Sequence, residues 1–405
     1  MNGMTLSVSL LPGGSASHGS SAAAEPITLG VMGGGQLGRM FVHAAQSMGY
    51  FTAVLDPDAQ SPAGCVSHRH IQTDYTDPEG LKQLAACSSA ITTEFENVPA
   101  PALLELAKLR PVSPGAQAVA IAQDRAAEKA HFVKCGVPCA PYAVIESADQ
   151  LESALLKNLL PGILKTARMG YDGKGQVRVK DAAALRAAWQ ELNQVTCVLE
   201  QMLPLNLECS VIVARGRDGQ MVNFPVQRNL HREGILAVTE VYAGHLPEAL
   251  QQQAVAAARA IAEGVNYVGV LCVEFFVLQD GSMVVNEMAP RPHNSGHYTL
   301  DACDQSQFDL QVRTLAGLPL TQPRQHSAAI MLNLLGDIWF DDKNVMRLPN
   351  WAAVLALPGT HLHLYGKTQA RKARKMGHLN VTGMSAKEVR EVALKAASML
   401  AIEAF

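Results

Sequence analysis

The sequence predicts an α/β protein whose N-terminal part is built on a parallel sheet and whose middle part is α+β. From Pro26, short apolar runs alternate with helical stretches, which is typical of β-α-β units. Beyond about residue 123, several apolar runs follow one another with only turns between them, which favours neighbouring antiparallel strands. The 405 residues also exceed what one hydrophobic core usually holds. We therefore expect a leader at 1–25, an N-terminal domain at 26–122, a central domain at 123–326 and a small C-terminal domain at 327–405.

The composition excludes several classes of partner. Lys and Arg number 33 and Asp and Glu number 36, so no overall field favours nucleic acid or an anionic membrane. No run approaches the roughly 18 apolar residues that cross a bilayer. Eight cysteines lack the C-x-x-C spacing of a zinc or redox site, which indicates free thiols in a reducing, cytoplasmic compartment. No Lys or Arg precedes the mildly apolar residues 5–11, so we expect a disordered leader rather than a signal peptide.

A glycine motif lies between the first predicted strand and its helix. Gly33-Gly34-Gly35-Gln36-Leu37-Gly38 satisfies G-x-G-x-x-G, and Asp56 ends the next strand. This is the fingerprint of a Rossmann-like dinucleotide site. Physically, it indicates only that backbone amides at a helix N-terminus can approach an anion. The alternatives are a nicotinamide cofactor, a tight turn without a ligand, and a substrate phosphate, which we favour.

A predicted hairpin over residues 270–287 brings two carboxylates together. Asp280-Gly281 is a two-residue turn signal between apolar, β-rich runs. In that register Gln279 faces Ser282, and Glu274 falls opposite Glu287. Directly opposed side chains have Cβ atoms about 4.5 to 5.5 Å apart, so these two charges repel.

Three interpretations of that carboxylate pair remain open. The pair could be a solvated hairpin face, two acids that share one proton, or two ligands of one cation. We favour Mg²⁺, because it prefers carboxylate oxygens and nucleotide phosphates. Asn286 is adjacent and could also coordinate the ion.

Two further stretches suggest a nucleotide site. Lys165 ends an apolar strand and precedes Gly170-Tyr171-Asp172-Gly173-Lys174-Gly175-Gln176, which is either a mobile loop over phosphates or an ordinary turn. It lacks the G-K-[ST] ending of a P-loop. Glu200-Gln201-Met202 ends another strand and offers backbone groups to an adenine edge. Glu208, on the following strand, could reach ribose hydroxyls.

These residues follow one another in the order found in ATP-grasp enzymes, and the chain resembles one throughout residues 26–385. Four longer stretches resemble the 5-(carboxyamino)imidazole ribonucleotide synthetase family more narrowly. They are residues 33–40, 93–98, 165–176 and 286–297, which read GGGQLGRM, TEFENV, KTARMGYDGKGQ and NEMAPRPHNSGH.

The resemblance implies an ATP-grasp fold with a Rossmann-like N-terminal domain, a mobile lid at about 136–205 and a small C-terminal domain. It also implies a ligase that uses ATP, Mg²⁺ and bicarbonate to carboxylate 5-aminoimidazole ribonucleotide. Carboxyphosphate would form first and release carbon dioxide beside the substrate amine in a water-shielded site. A homodimer in the cytoplasm is expected from the family.

The resemblance further implies roles for single residues. Those expected around ATP are Arg125, Lys165, Gly170, Tyr171, Asp172, Gly173, Lys174, Gly175, Gln176, Glu200, Gln201, Met202, Glu208, His231, Asn286 and Glu287. The expected metal ligands are Glu274 and Glu287. Those expected to face the γ-phosphate and bicarbonate are Arg291, which would stabilise carboxyphosphate, His293, Asn294 and Ser295. The expected substrate contacts are Gln36, Glu94, Tyr171, Asp172, Lys367 and Arg374.

A basic run near the C-terminus contains Lys367, Arg371, Lys372, Arg374 and Lys375. Such a run is typical of a solvated surface, and nucleic-acid binding is an alternative. The resemblance assigns two of these residues to the ribonucleotide phosphate and leaves Arg371 and Lys372 on the surface.

Three rival functions remain. The first is a sister ATP-grasp enzyme, such as a formate-dependent ribonucleotide transformylase or a biotin carboxylase. The second is an NAD-dependent oxidoreductase, and the third is a nucleotide-sensing scaffold without turnover.

Overall fold

The computed structural model describes residues 9–16, 25–170 and 175–405. The strands are β1 Ser15–Ala16, β2 Glu25–Pro26, β3 Thr28–Met32, β4 Phe51–Leu55, β5 Arg69–Ile71, β6 Ala90–Thr93, β7 Tyr142–Ile145, β8 Gly162–Thr166, β9 Gln176–Val179, β10 Cys197–Gln201, β11 Leu205–Arg215, β12 Met221–Asn223, β13 Gln227–Arg232, β14 Ile235–Val241, β15 Gly269–Leu278, β16 Met283–Ala289, β17 Ala328–Leu335, β18 Thr360–Leu364 and β19 Lys375–Gly383. The α-helices are α1 Gln36–Ser47, α2 Pro78–Cys87, α3 Ala100–Ala107, α4 Ala116–Ala122, α5 Arg125–Lys134, α6 Ala154–Lys157, α7 Ala182–Glu191, α8 Glu248–Gly264, α9 Thr299–Ala302, α10 Gln307–Ala316, α11 Trp351–Leu355 and α12 Ala386–Met399. Short 3₁₀ turns occupy Gly64–Val66, Ala148–Glu152, Asn294–Gly296 and Gly336–Trp339.

The N-terminal part is the predicted parallel sheet, with strand order β5-β4-β3-β6. Nearly every residue of β3, β4 and β6 is buried, as expected when helices cover both faces. Helices α1 and α10 pack on one face, and α2, α3 and α4 pack on the other. Helix α10 comes from the middle of the chain, so it ties the central part to this sheet.

The central part contains a small antiparallel sheet of order β7-β10-β8-β9. Its core consists of Ile145, Leu164, Leu199 and the side chains of α7, among them Trp189. This sheet falls within the predicted lid at 136–205.

A nine-stranded sheet forms the rest of the molecule, in the order β16-β15-β11-β13-β14-β17-β19-β18, with β12 paired to β11. The last three strands belong to the predicted C-terminal domain. These three strands continue the sheet of the central part, because β14 pairs with β17, for example at Val238 and Leu332. Among the described helices, none is long and apolar enough to cross a membrane.

The expectation of a disordered leader is wrong for residues 9–16. The Leu10 N–H donates to the Ala316 carbonyl, 2.8 Å away, at the end of α10, and the Tyr50 hydroxyl donates to the Leu10 carbonyl. The last carbonyls of a helix have no partner within the helix, and here the leader satisfies one of them. Strand β1 also pairs with β2.

Candidate active site

A cavity of about 1110 Å³ opens where the N-terminal parallel sheet, the small antiparallel sheet and the nine-stranded sheet meet. The loops that follow β3, β4 and β6 line one side, at the carboxyl ends of a parallel sheet, where ligands usually bind. The predicted site residues that line the cavity are Gln36, Glu94, Arg125, Lys165, Gly170, Gln176, Glu200, Gln201, Met202, Glu208, His231, Glu274, Asn286, Glu287, Arg291, His293, Asn294, Lys367 and Arg374. The predicted contacts Tyr171, Asp172, Gly173 and Lys174 lie outside the described residues.

The turn between β15 and β16 differs from the two-residue turn that we predicted at Asp280-Gly281. The Leu278 N–H donates to the Ser282 carbonyl at 2.8 Å, so residues 279–281 form a three-residue loop. Gly281 has a φ of +84°, which glycine adopts without strain. This loop alone would put Glu274 out of register.

A β-bulge at Asn286 restores the register. Phe275 pairs with Val285, but Glu274 pairs with Glu287, so Asn286 is the extra residue on β16. The predicted carboxylate pair is therefore present, although it results from a longer turn and a bulge that offset each other.

The environment of this pair fits a bound cation. Burial, together with the charge of Glu287, raises the pKa of Glu274 to about 7. The ring of His293 lies beside it, with Nε2 3.1 Å from Glu274 Oε1. Glu287 is more exposed and lies 3.5 Å from the Arg125 guanidinium. With the amide of Asn286, these carboxylates form the all-oxygen set that Mg²⁺ prefers.

A third carboxylate, Glu128, lies beside this pair and was missed by the sequence analysis. It accepts a 2.7 Å hydrogen bond from the Met288 N–H. Burial, followed by the charge of Glu287, raises its pKa to about 8, so the side chain is mainly protonated at neutral pH. Glu128 could have been found from the sequence, because it lies three residues after Arg125 and therefore on the same face of α5.

Lys129, on the next position of α5, was also missed, and it completes a buried ion network. Its Nζ lies 3.2 Å from Glu200 Oε1, and the Lys165 Nζ lies 3.0 Å from Glu200 Oε2. Burial alone would raise the pKa of Glu200, but the two ammonium groups hold it below its ordinary value. Two cations against one carboxylate leave a net positive charge at this end of the cavity.

At the strand end, the backbone N–H groups of Gln201 and Met202 are already hydrogen-bonded within the protein. The Gln201 N–H donates to the Pro141 carbonyl and the Met202 N–H to the Pro161 carbonyl, at 2.9 and 3.0 Å. An adenine edge would therefore have to use the carbonyls here, or the N–H of Leu203, which also lines the cavity.

Glu208 and His231 meet on neighbouring strands β11 and β13. The Glu208 carboxylate lies 2.6 Å from His231 Nδ1. Burial opposes protonation of the ring, yet Glu208 and the nearby charge of Glu274 raise the pKa of His231 above its ordinary value. The two residues form one polar unit on the cavity wall.

The glycine motif binds an anion, but the anion belongs to the chain. The Gly35 and Gly38 amides donate to the Glu94 carboxylate at 2.8 and 3.0 Å, and the Gly34 amide donates to Asp56 at 2.6 Å. The Gly34, Gly35 and Gly38 amides are therefore taken by carboxylates of the chain itself. A ligand phosphate at this turn would have to use the amides of Gln36 and Leu37, two residues that line the cavity.

Lys367 and Gln36, two of the predicted substrate contacts, lie side by side, with the Lys367 Nζ donating to Gln36 Oε1 at 2.8 Å. Burial and the charge of Arg374 lower the pKa of Lys367 to about 8. An ammonium crowded by another cation is suited to an anionic ligand. Arg371 and Lys372 are exposed, which confirms their predicted position on the surface.

Arg291 lines the cavity, and its Nε contacts Glu96, a residue that the sequence analysis did not single out. Burial works to raise the pKa of Glu96, but the guanidinium keeps it below its ordinary value. The contact joins the N-terminal loop after β6 to the segment after β16, so it fixes the guanidinium in place.

Two predicted site residues do not line the cavity. Ser295 is fully buried and lies behind His293, with its hydroxyl 2.9 Å from the ring Nδ1. It therefore holds the imidazole and does not face a ligand. Gly175 forms the turn into β9, where its carbonyl accepts from the Thr166 N–H at 2.8 Å and its φ is +69°.

Comparison with known proteins relates the whole described architecture to one group of enzymes. Three family models match successive parts of the chain. They are the ribonucleotide synthetase preATP-grasp domain at residues 27–123, the ATP-grasp domain at 130–308 and the phosphoribosylaminoimidazole carboxylase C-terminal domain at 329–392.

Individual relatives agree with these models. The chain is 44% identical over 358 residues to the N5-carboxyaminoimidazole ribonucleotide synthase of Brucella melitensis, a match that covers 87% of this chain and 95% of the relative. The crystal structure of N5-carboxyaminoimidazole synthetase from Staphylococcus aureus complexed with ADP superposes with a TM-score of 0.84 at 35% identity, covering 92% and 97% of the two chains. The Aspergillus clavatus synthase in complex with ADP and 5-aminoimidazole ribonucleotide gives 0.82 at 30% identity, covering 93% and 99%.

The raised pKa of Glu128 leads to a prediction about stability. Its folded pKa of about 8 lies above the unfolded value, near 4.3, so the stabilisation by the protonated form is lost as the pH rises through 8. Glu128→Gln, which keeps an acceptor for the Met288 amide, should therefore lose less stability than wild type between pH 5 and pH 8, because the wild type loses up to about 1.4 kcal/mol for each pH unit between the two pKa values. Denaturant unfolding of the ligand-free proteins between pH 5 and pH 8 measures this. Equal pH dependence in the two proteins contradicts the assignment.

Proposed function

The chain belongs to the N5-carboxyaminoimidazole ribonucleotide synthase family of ATP-grasp enzymes, and we propose from this membership that it carboxylates the amine of 5-aminoimidazole ribonucleotide with bicarbonate and ATP. The products are N5-carboxyaminoimidazole ribonucleotide, ADP and phosphate, in de novo purine biosynthesis. The observation that carries this proposal is the pairing of Glu274 with Glu287 in a cavity that has a cationic group at each end.

One end of the cavity suits the nucleotide. Lys165 can place its ammonium on the phosphates, and Glu208 can accept from ribose hydroxyls. The adenine would lie against Met202 and Leu203, where the small sheet meets the large one. The small sheet is then the lid that covers the nucleotide.

The middle of the cavity suits the metal. Glu274 and Glu287 would hold Mg²⁺, with Asn286 beside them, and the bound ion would neutralise the charge of the transferring phosphate. Glu128 lies beside them, with its carboxyl group accepting from the Met288 N–H at 2.7 Å.

The opposite end suits the ribonucleotide. Lys367 and Arg374 are the cations for its phosphate, and Gln36 fixes the lysine between the N-terminal and C-terminal parts of the chain. Glu94, held by the glycine loop, faces the same space and can accept a hydrogen bond from the substrate amine.

The chemistry follows from the weakness of bicarbonate as an electrophile. A bicarbonate oxygen attacks the γ-phosphoryl group, which gives carboxyphosphate and ADP. Carboxyphosphate then breaks into carbon dioxide and phosphate. The amine attacks the carbon dioxide, and as the N–C bond forms its proton passes to the released phosphate. Arg291, fixed by Glu96, offers its remaining N–H groups to the carboxyphosphate oxygens. Asn294 and His293 border the same position, and burial and the charge of Arg291 lower the pKa of His293, which keeps its ring neutral.

We also propose that the enzyme is a cytoplasmic homodimer. All eight cysteines are free thiols, which suits a reducing compartment. Val345, Met346 and Leu348 form an exposed apolar segment, with Leu348 83% exposed, of the kind that a second subunit covers.

The proposed reaction is tested by ADP release from the purified protein. We expect release to require 5-aminoimidazole ribonucleotide and bicarbonate together. Stimulation by formate or by biotin would instead assign the chain to a sister ATP-grasp activity, and ATP binding without turnover would favour a sensor.

Glu287→Gln should abolish turnover and retain the fold, because one carboxylate alone cannot hold the ion. Wild-type activity in this variant would reject the metal assignment.

Lys129 should affect the affinity for ATP although it does not contact the nucleotide itself. In Lys129→Met, Glu200 keeps Lys165 as its one counter-ion, so Lys165 is less available to the phosphates. We expect the KM for ATP to rise on the order of tenfold, since charge-assisted hydrogen bonds contribute about 1.5–3 kcal/mol. Lys129→Arg keeps the charge and should stay close to wild type. An unchanged KM in Lys129→Met contradicts the coupling.

Lys367→Ala should chiefly weaken binding of the ribonucleotide. Losing one charged contact to its phosphate should raise the KM for the ribonucleotide about 10- to 100-fold, with a smaller change in kcat. Arg371→Ala, in the same basic run but exposed, is the matched control and should behave as wild type. If both variants keep the wild-type KM, the phosphate is held elsewhere.

A further inference from the structure

Three side chains of different chemistry meet beside the cavity, which Glu274 and His293 line and Cys272 does not. The Cys272 thiol, a Glu274 carboxylate oxygen and an imidazole nitrogen of His293 all lie within 4.8 Å of one another. Cys272 and Glu274 are two residues apart on β15, so they point to the same face of the sheet. His293 follows β16 and closes the group from the other side.

The position of Cys272 explains how the group is built. Along this face of β15 the side chains pass from the apolar core, at Val270 and Cys272, to the cavity floor at Glu274. Cys272 is fully buried and Glu274 is 7% exposed, so an ion can reach the thiol only through the cavity. A thiol at this boundary has no part in the proposed carboxylation.

We propose that Cys272, Glu274 and His293 form a binding site for Zn²⁺ or a similar thiophilic divalent cation. Sulfur, nitrogen and carboxylate oxygen are the ligands that zinc prefers, and three of them leave a fourth position open. Bonds of the usual zinc lengths in a tetrahedral site put ligand atoms about 3.3–3.8 Å apart. The three ligand atoms lie within 4.8 Å of one another, so the side chains must draw together when an ion binds. Mg²⁺ does not take a thiolate, so the residues distinguish the two ions.

Binding of the ion changes the protonation of Cys272 and of His293. The Cys272 thiol releases its proton to solvent as the sulfur–metal bond forms. The His293 Nε2, now 3.1 Å from the Glu274 carboxylate, must offer its lone pair to the ion, so the ring proton resides on Nδ1. There the Ser295 hydroxyl, 2.9 Å away, can accept it, once the 3.3 Å hydrogen bond that the Ser295 N–H donates to Nδ1 in the metal-free structure is given up.

The consequence is inhibition, and this step rests on the proposed function. Zinc would engage Glu274, which the magnesium ion needs, and His293, which borders the position of bicarbonate. Occupation of the site therefore stops the carboxylation, whereas binding of the metal itself does not depend on which reaction the chain catalyses.

Cobalt(II) titration tests the binding step, because a thiolate ligand gives a charge-transfer absorption band. The full chain carrying Cys65→Ala is used, since Cys65 is an exposed thiol. We expect one equivalent of cobalt per chain to produce the band and zinc to displace it. Cys272→Ala should abolish the band, as should Cys272→Ser, which keeps the side-chain volume if alanine disturbs the fold. Cys303→Ala, a buried cysteine outside the group, should keep it. Absence of the band, or its persistence without Cys272, overturns the proposal.

Zinc inhibition of ADP release, measured with excess magnesium and ATP, tests the consequence. Cys272→Ala should keep the zinc-free activity and lose zinc sensitivity on the order of 100-fold, because each ligand carries a share of the binding free energy. Equal zinc sensitivity in Cys272→Ala and wild type overturns the inhibitory role. A Cys272-dependent cobalt band in a protein without carboxylation activity supports the metal site and contradicts the proposed function instead.

Discussion

The need to balance buried negative charge is the constraint on which the rest of the site depends. An ionised carboxylate out of water is costly unless a partner is supplied, and the cavity concentrates several of them. Glu200 receives two ammonium groups, Glu94 receives two backbone amides and Glu128 keeps its proton. The negative charge of Glu274 is the least well compensated of these, because its partner across the hairpin is another carboxylate. The cavity is therefore built so that a cation completes it.

The fold supplies these partners by joining separate parts of the chain at one place. Helix α5 presents Arg125, Glu128 and Lys129 on one face, between the small sheet and the β15–β16 hairpin. The loop after β6 contributes Glu96, which fixes Arg291, and the C-terminal strands extend the same large sheet far enough to bring Lys367 to the N-terminal domain. Each end of the cavity thus depends on contacts between parts of the chain that are distant in sequence.

The β-α-β start and the hairpin could be predicted from the sequence, because strand alternation and helix periodicity are local, whereas most of the cavity lining was predicted from the resemblance to ATP-grasp enzymes. The register of the hairpin illustrates the limit of that reasoning. The opposition of Glu274 and Glu287 was right, but the turn length was wrong and an unforeseen bulge at Asn286 compensated for it. Ser295 was misplaced because neighbours in a 3₁₀ turn point in different directions, so closeness in sequence to His293 did not mean closeness to the cavity. The charges of α5 were visible, but their role depended on tertiary contacts.

The glycine motif shows why a sequence fingerprint fixes geometry more firmly than ligand. Amides at a helix N-terminus attract an anion, and that physical requirement is met here by Glu94 and Asp56. Binding an internal carboxylate has a consequence that binding a phosphate would not have. It holds Glu94 buried yet facing the cavity, with burial raising its pKa against the opposing effect of the Gly38 and Gly35 amides. A motif that supports a dinucleotide in other proteins can therefore serve, on the same backbone, to present an acceptor to a substrate amine.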